Sequence, residues 1–173
     1  MAATLSGTVT LLDRMAFTAT SGSGHVVQLD SAQEHGGADR GARPMELLLL
    51  GLGGCTGMDV ISLLRKMRQE VTSYQVELLA ERAEEHPRIM TEISIVHTIR
   101  GRGLDPQLIG RAIELSATRY CPASAMLSKA AVLHHRYQLV DEATGTAIER
   151  NVVDTPLPTP PSASVPALPP TRQ

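Results

Sequence analysis

The chain has 173 residues, 42% of them apolar, with a formal charge of −2 and a pI near 6.3. That length fits one domain with a sizeable core, and the core must be aliphatic, because there is no Trp and a single Phe. A near-neutral balance without aromatic platforms argues against a nucleic-acid binder, and two cysteines are too few for a secreted disulfide scaffold.

No positively charged, apolar leader follows Met1. The uncharged run between Glu46 and Asp59 holds about 12 residues, too short to span a bilayer. The expectation is a cytoplasmic protein acting away from membranes.

Taken in chain order, residues 4–30 read as a β meander. Leu5, Gly7, Val9 and Leu11 alternate with polar or small neighbours, Leu12-Asp13-Arg14 turns, and residues 15–20 return. Ser21-Gly22-Ser23-Gly24 turns again into a third strand over 25–30. Residues 31–43 are polar and Gly-rich, hence a structureless loop of the length that often carries function.

Pro44 then suits the first turn of a long helix over 44–69. Leu47, Leu48, Leu49, Leu50 and Leu52 are apolar on every side, so its first half is expected to be surrounded by protein. Beyond Asp59 the pattern turns amphipathic. Gly51, Gly53, Gly54 and Gly57 each cost roughly 1 kcal/mol relative to alanine in a helix. Close approach of another segment near Cys55 is the expected compensation.

Residues 72–82 and 92–100 alternate as two antiparallel strands with one wet face. Asp105-Pro106 is an N-cap followed by Pro at the first helical position, opening a helix to about Arg119. Pro122 holds Cys121 out of helical geometry and starts a short helix to about Ala131. A last strand covers 133–140. From Asn151 the composition becomes Pro-rich and aperiodic. We assign 1–145 to one α+β domain, a sheet packed on a central helix, and 146–173 to a Pro-rich disordered tail.

Two thiols stand out. Cys121 begins a helix, where the dipole and free N–H groups favour thiolate. Cys55 lies mid-helix among glycines. Buried inert thiols and a redox pair both fit these positions, and without a CxxC pattern thioredoxin-type chemistry is excluded. Metal binding is not indicated: His134 and His135 point to opposite faces of a strand, His86 sits in a charged turn, and His25 and His97 are isolated.

P-M-E-L-L-L-L-G-L-G-G-C-T-G-M-D-V (44–60) together with R-Y-C-P-A-S-A-M-L (119–127) resembles the OsmC/Ohr family, the osmotically inducible and organic hydroperoxide resistance proteins, over about residues 4–141. The resemblance implies an intertwined homodimer with antiparallel sheets wrapped around long central helices. It also implies a thiol peroxidase without a cofactor, acting in oxidative-stress defence on organic hydroperoxides and more weakly on hydrogen peroxide. Cys55 would be the peroxidatic thiol and Cys121 the resolving one. A lipoylated or thioredoxin-like dithiol would reduce the resulting disulfide.

The chain departs from the resemblance at two places. Organic hydroperoxide resistance members carry a Glu directly after the Pro, where this chain has Met45; Glu46 comes one residue later, about 100° around the helix. They also use an Arg of the N-terminal sheet, where Arg14 is the one candidate, with Arg40 and Arg43 of the following loop as alternatives. These departures keep open a non-catalytic small-molecule binding protein, or a thiol redox sensor, on the same scaffold.

Overall fold

Alternation of apolar and polar residues builds two separate sheets in the computed structural model, which describes residues 4–155. Strands β1 (Gly7–Asp13), β2 (Ala16–Ser21) and β3 (Val26–Leu29) form an antiparallel meander. Helix α1 (Pro44–Lys66) follows. Strands β4 (Glu70–Arg82), β5 (Met90–Arg102), β6 (Val132–Asp141) and β7 (Ala147–Asp154) form the second sheet in that spatial order. Its β5–β6 pair is parallel and the other two pairs are antiparallel. Helices α2 (Pro106–Leu115) and α3 (Pro122–Leu127) make the crossover between β5 and β6. The architecture is α+β, as expected.

The folded unit is longer than the sequence pattern suggested. Residues 147–154, assigned to the tail, are strand β7, which covers the edge of β6. Thr155 closes the pairing: its N–H donates to the Leu133 carbonyl at 2.9 Å, and its hydroxyl accepts from the Leu133 N–H at 2.8 Å. The proline-rich remainder of the tail assignment lies outside the described residues.

The loop over 31–43 is also more ordered than its composition implied. Asp30, almost fully buried, accepts backbone N–H bonds from Ser31, Ala38 and Arg40. Those bonds, the one from Arg40 first, hold its carboxyl below the usual carboxylate range. A 3₁₀ turn at Gln33–His35 lies inside the loop.

By length and composition α1 could cross a membrane. Here one stripe of it, Leu52, Thr56, Val60 and Leu64, is completely buried against β4, α2 and α3. Gly53 belongs to this face: a Cβ there would meet Leu78 Cδ1 of β4 at 2.5 Å. Within a single chain the leucine run is not enclosed on all sides. Leu48 is 46% exposed and Leu50 58%, because within one chain only one face of the helix has a sheet to lie on.

Two apolar clusters fill the space between helices and large sheet. One gathers Val60, Leu64, Ile99, Ile109, Ile113 and Leu139, and the other Leu52, Ile93, Ile95, Cys121 and Leu133. Each element changes cluster at a polar residue: Thr56 on α1, His97 on β5, Ser116 after α2, His135 on β6. All four are buried. A polar seam therefore crosses the core at the level of the residue next to Cys55.

Candidate active site

Cys55 sits midway along α1, half-buried, and Cys121 is buried at the N-cap of α3. Cys121 is brought there by a π turn. Residues Ser116–Tyr120 widen the end of α2, and the Cys121 N–H donates to the Ser116 carbonyl five residues back at 2.9 Å. Cys121 is then extended (φ −75°, ψ 106°), as its place before Pro122 requires. Its sulfur accepts the Ser124 N–H at 3.3 Å.

The two thiols are free, and Cys55 packs against the apolar cluster that contains Cys121. Ala123, in the first turn of α3, packs against the same cluster as Cys55. The fold thus brings together, near the start of α3, two residues 66 positions apart in sequence.

Burial pushes the Cys55 thiol up, the Ala123 N–H opposes the rise, and the neighbouring Cys121 thiol and the Asp59 carboxylate add to it. None of Glu46, Arg14 and Arg43 is among these influences. Glu46 instead caps its own helix, its Oε2 accepting the Arg43 N–H at 2.8 Å. Arg43 donates to Asp39 Oδ1 at 2.6 Å and to the Gly41 carbonyl at 2.9 Å. It lies about 18 Å along the helix axis from Cys55. With Val9, Met15, Phe17, Leu29 and Pro44 it lines an apolar cavity of about 460 Å³ between the small sheet and the start of α1. Arg14 sits in the β1–β2 turn with φ 49°, and Arg40 pairs loosely with Asp13 and Asp30. Met45, at the position where the resemblance implies a Glu, packs on the apolar cluster that holds Cys121.

Beyond these, the polar seam carries groups the sequence reading passed over. Tyr74 Oη lies 2.7 Å from His97 Nδ1, and His97 Nε2 lies 3.4 Å from His135 Nδ1. The three rings are nearly parallel, 6.0 and 5.7 Å apart. His97 is therefore not isolated. Burial pushes His97 down to about 3 and His135 down to about 4, so both are neutral. Thr56 and Ser116 share a hydrogen bond at 3.0 Å, and Ser116 also donates to Asp59 at 3.3 Å. The sequence signal for these groups was a polar residue interrupting each apolar stripe. Among the described residues no group of three His, Cys, Asp or Glu is placed to hold a metal.

Comparison with known proteins agrees with the fold. The family model described as OsmC-like protein matches residues 36–136. Protein YhfA of Escherichia coli K12 is 38% identical over 129 residues, covering 75% of this chain and 93% of that protein. A hypothetical protein from Aquifex aeolicus VF5 superposes with a TM-score of 0.72 at 28% identity, over 82% of this chain and 99% of the other. An organic hydroperoxide resistance protein from Elizabethkingia anophelis shares the fold, with a TM-score of 0.62 at 16% identity over 82% and 99%. With two motifs, the fold and more than half of the chain in agreement, this protein belongs to the OsmC-like family.

Proposed function

We propose that the protein is a cytoplasmic, homodimeric thiol peroxidase that reduces organic hydroperoxides through Cys55 and Cys121. The observation that carries this reading is the packing of two free thiols at one apolar cluster near the start of α3. In the reaction, the Cys55 thiolate attacks the peroxide oxygen, giving Cys55 sulfenic acid and an alkoxide that takes up a proton. The Cys121 sulfur then displaces hydroxide from the Cys55 sulfur, and water leaves with the Cys121 proton as the disulfide forms. An external dithiol returns both thiols and is itself oxidised.

The second copy has two tasks. It covers the open face of α1, where Leu48, Leu50 and Met58 are exposed and a Cβ added at Gly51 or Gly54 would meet nothing within 4 Å. It also brings a cation to Cys55, whose thiol is otherwise held protonated by burial and by Asp59. Arg14, on the mostly exposed small sheet, is the candidate.

The same raised thiol supports a second reading, a binding protein or sensor in which Cys55 reacts slowly. Peroxide consumption with dithiothreitol in the wild type, Cys55→Ser and Cys121→Ser separates the two. The peroxidase reading expects turnover in the wild type and none in Cys55→Ser. Wild-type consumption no faster than that of an exposed cysteine peptide would leave the binding reading.

A further inference from the structure

Hydroxyl contacts link the two segments that carry the sulfurs. Thr56 is the residue after Cys55. Ser116 begins the π turn that ends at Cys121, and its carbonyl accepts the Cys121 N–H. Thr56 Oγ1 and Ser116 Oγ are 3.0 Å apart, and both residues are completely buried. A hydroxyl has one proton to give. Ser116 gives its own to Asp59 Oδ2 at 3.3 Å, so Thr56 is the donor in the Thr56–Ser116 pair. Thr56 and Asp59 belong to the rigid helix that carries Cys55, whereas Ser116 belongs to the segment that carries Cys121.

We propose that the Thr56–Ser116–Asp59 chain is a clip that sets the approach of Cys121 to Cys55 and so governs closure of their disulfide. Ser116 is a positioning residue, acting through the backbone of the π turn. Closure requires Cα atoms within about 7 Å and a restricted torsion about the sulfur–sulfur bond, so a small displacement of Cys121 lowers the population of closable geometries. Loss of the Ser116 hydroxyl leaves the completely buried Thr56 hydroxyl without its partner, takes one donor from the half-buried Asp59 carboxylate and frees the turn to move. The purpose of the clip rests on the two-cysteine cycle proposed above, but its test does not use peroxide.

The test equilibrates the full chain in glutathione buffers and counts the Cys55–Cys121 disulfide by mass. Each closure passes two electrons and two protons to glutathione disulfide, giving two glutathione molecules. Ser116→Ala and Thr56→Val are expected to lower the closure constant about tenfold, equivalent to about 30 mV, whereas Thr56→Ser, which keeps the hydroxyl, stays within about twofold. The double variant is expected to lose no more than either single one, as for partners in one contact. Thermal stability of the reduced forms is measured in parallel. Lower stability with an unchanged closure constant would overturn the clip, as would a wild type that closes no intramolecular disulfide. Should Ser116→Ala fail to fold, Thr56→Val, which leaves the π turn's sequence intact, decides the matter. A wild type that closes its disulfide in glutathione yet consumes no hydroperoxide would remove the peroxidase reading and leave the clip standing.

Discussion

In the three-stranded sheet every residue of β1 is exposed, with Val9 at 63% and Leu11 at 56%. In the four-stranded sheet Ile93, Ile95, Ile99 and Leu133 have none of their surface exposed. Both sheets are written in the same two-residue alternation. The large one is covered by α1, α2 and α3 from its own chain. The small one meets its own chain mainly through the loop that Asp30 organises and the cavity beside Pro44. The pattern therefore tells which face is apolar and leaves open which chain covers it. The faces of α1 repeat the contrast, with Leu52 buried against the large sheet and Leu50 open.

The largest expected effect breaks the contrast on α1. Leu52→Ala removes a fully buried side chain from a packed cluster and is expected to cost about 2–5 kcal/mol in urea unfolding. Leu50→Ala is expected to change the stability of the single chain by about 0.5 kcal/mol or less and instead to weaken self-association, read by sedimentation across a dilution series. Equal unfolding losses in the two variants, with assembly unchanged, would contradict the division of the helix into an inner and an outer face.

A second effect belongs only to the large sheet. His97 and His135 are held neutral by burial, near about 3 and about 4, whereas an unfolded histidine titrates near about 6.5. Below that value the unfolded chain binds protons that the folded chain refuses. Stability is therefore complete above about pH 6.5 and is lost as the pH falls toward 4, by several kcal/mol. Urea midpoints across this range measure it, and His135→Leu is expected to flatten the slope. An equally steep wild-type and His135→Leu profile would assign the loss to carboxylates elsewhere.

The smallest effect is at the glycines. Gly54→Ala has open space around the new methyl group, so the single chain is expected to gain up to about 1 kcal/mol of helix propensity. Gly53→Ala must displace Leu78 and gains less or loses. If the second copy packs on the outer face, Gly54→Ala weakens the dimer while stabilising the chain, a split that thermal melts and sedimentation read separately.

Much of this was legible in the sequence. The helix from Pro44, the cap at Asp105-Pro106 and the alternation in 72–82, 92–100 and 133–140 rest on local rules, and each appears in the fold. The identities of the two cysteines were plain, but their proximity was not, because it depends on a π turn that no composition rule announces. Strand β7 was hidden because Glu149-Arg150-Asn151 interrupts its alternation, its pairing with β6 slips at His135/Arg136, and prolines follow closely. The loop over 31–43 reads as unstructured because much of its order comes from hydrogen bonds to a buried carboxylate, Asp30, that no local pattern announces. Glu46 and Arg43 bond to their own helix start and loop, whereas Thr56 and Ser116, 60 residues apart, meet across the core.

The most direct test is the product formed when the reduced protein meets one equivalent of cumene hydroperoxide. A two-cysteine cycle predicts that intact mass falls by two hydrogens, both thiols disappear together, and peptide mapping finds Cys55 joined to Cys121, reversibly with dithiothreitol. Oxygen added to either cysteine without the cross-link, or two thiols still free after the peroxide is gone, would contradict it.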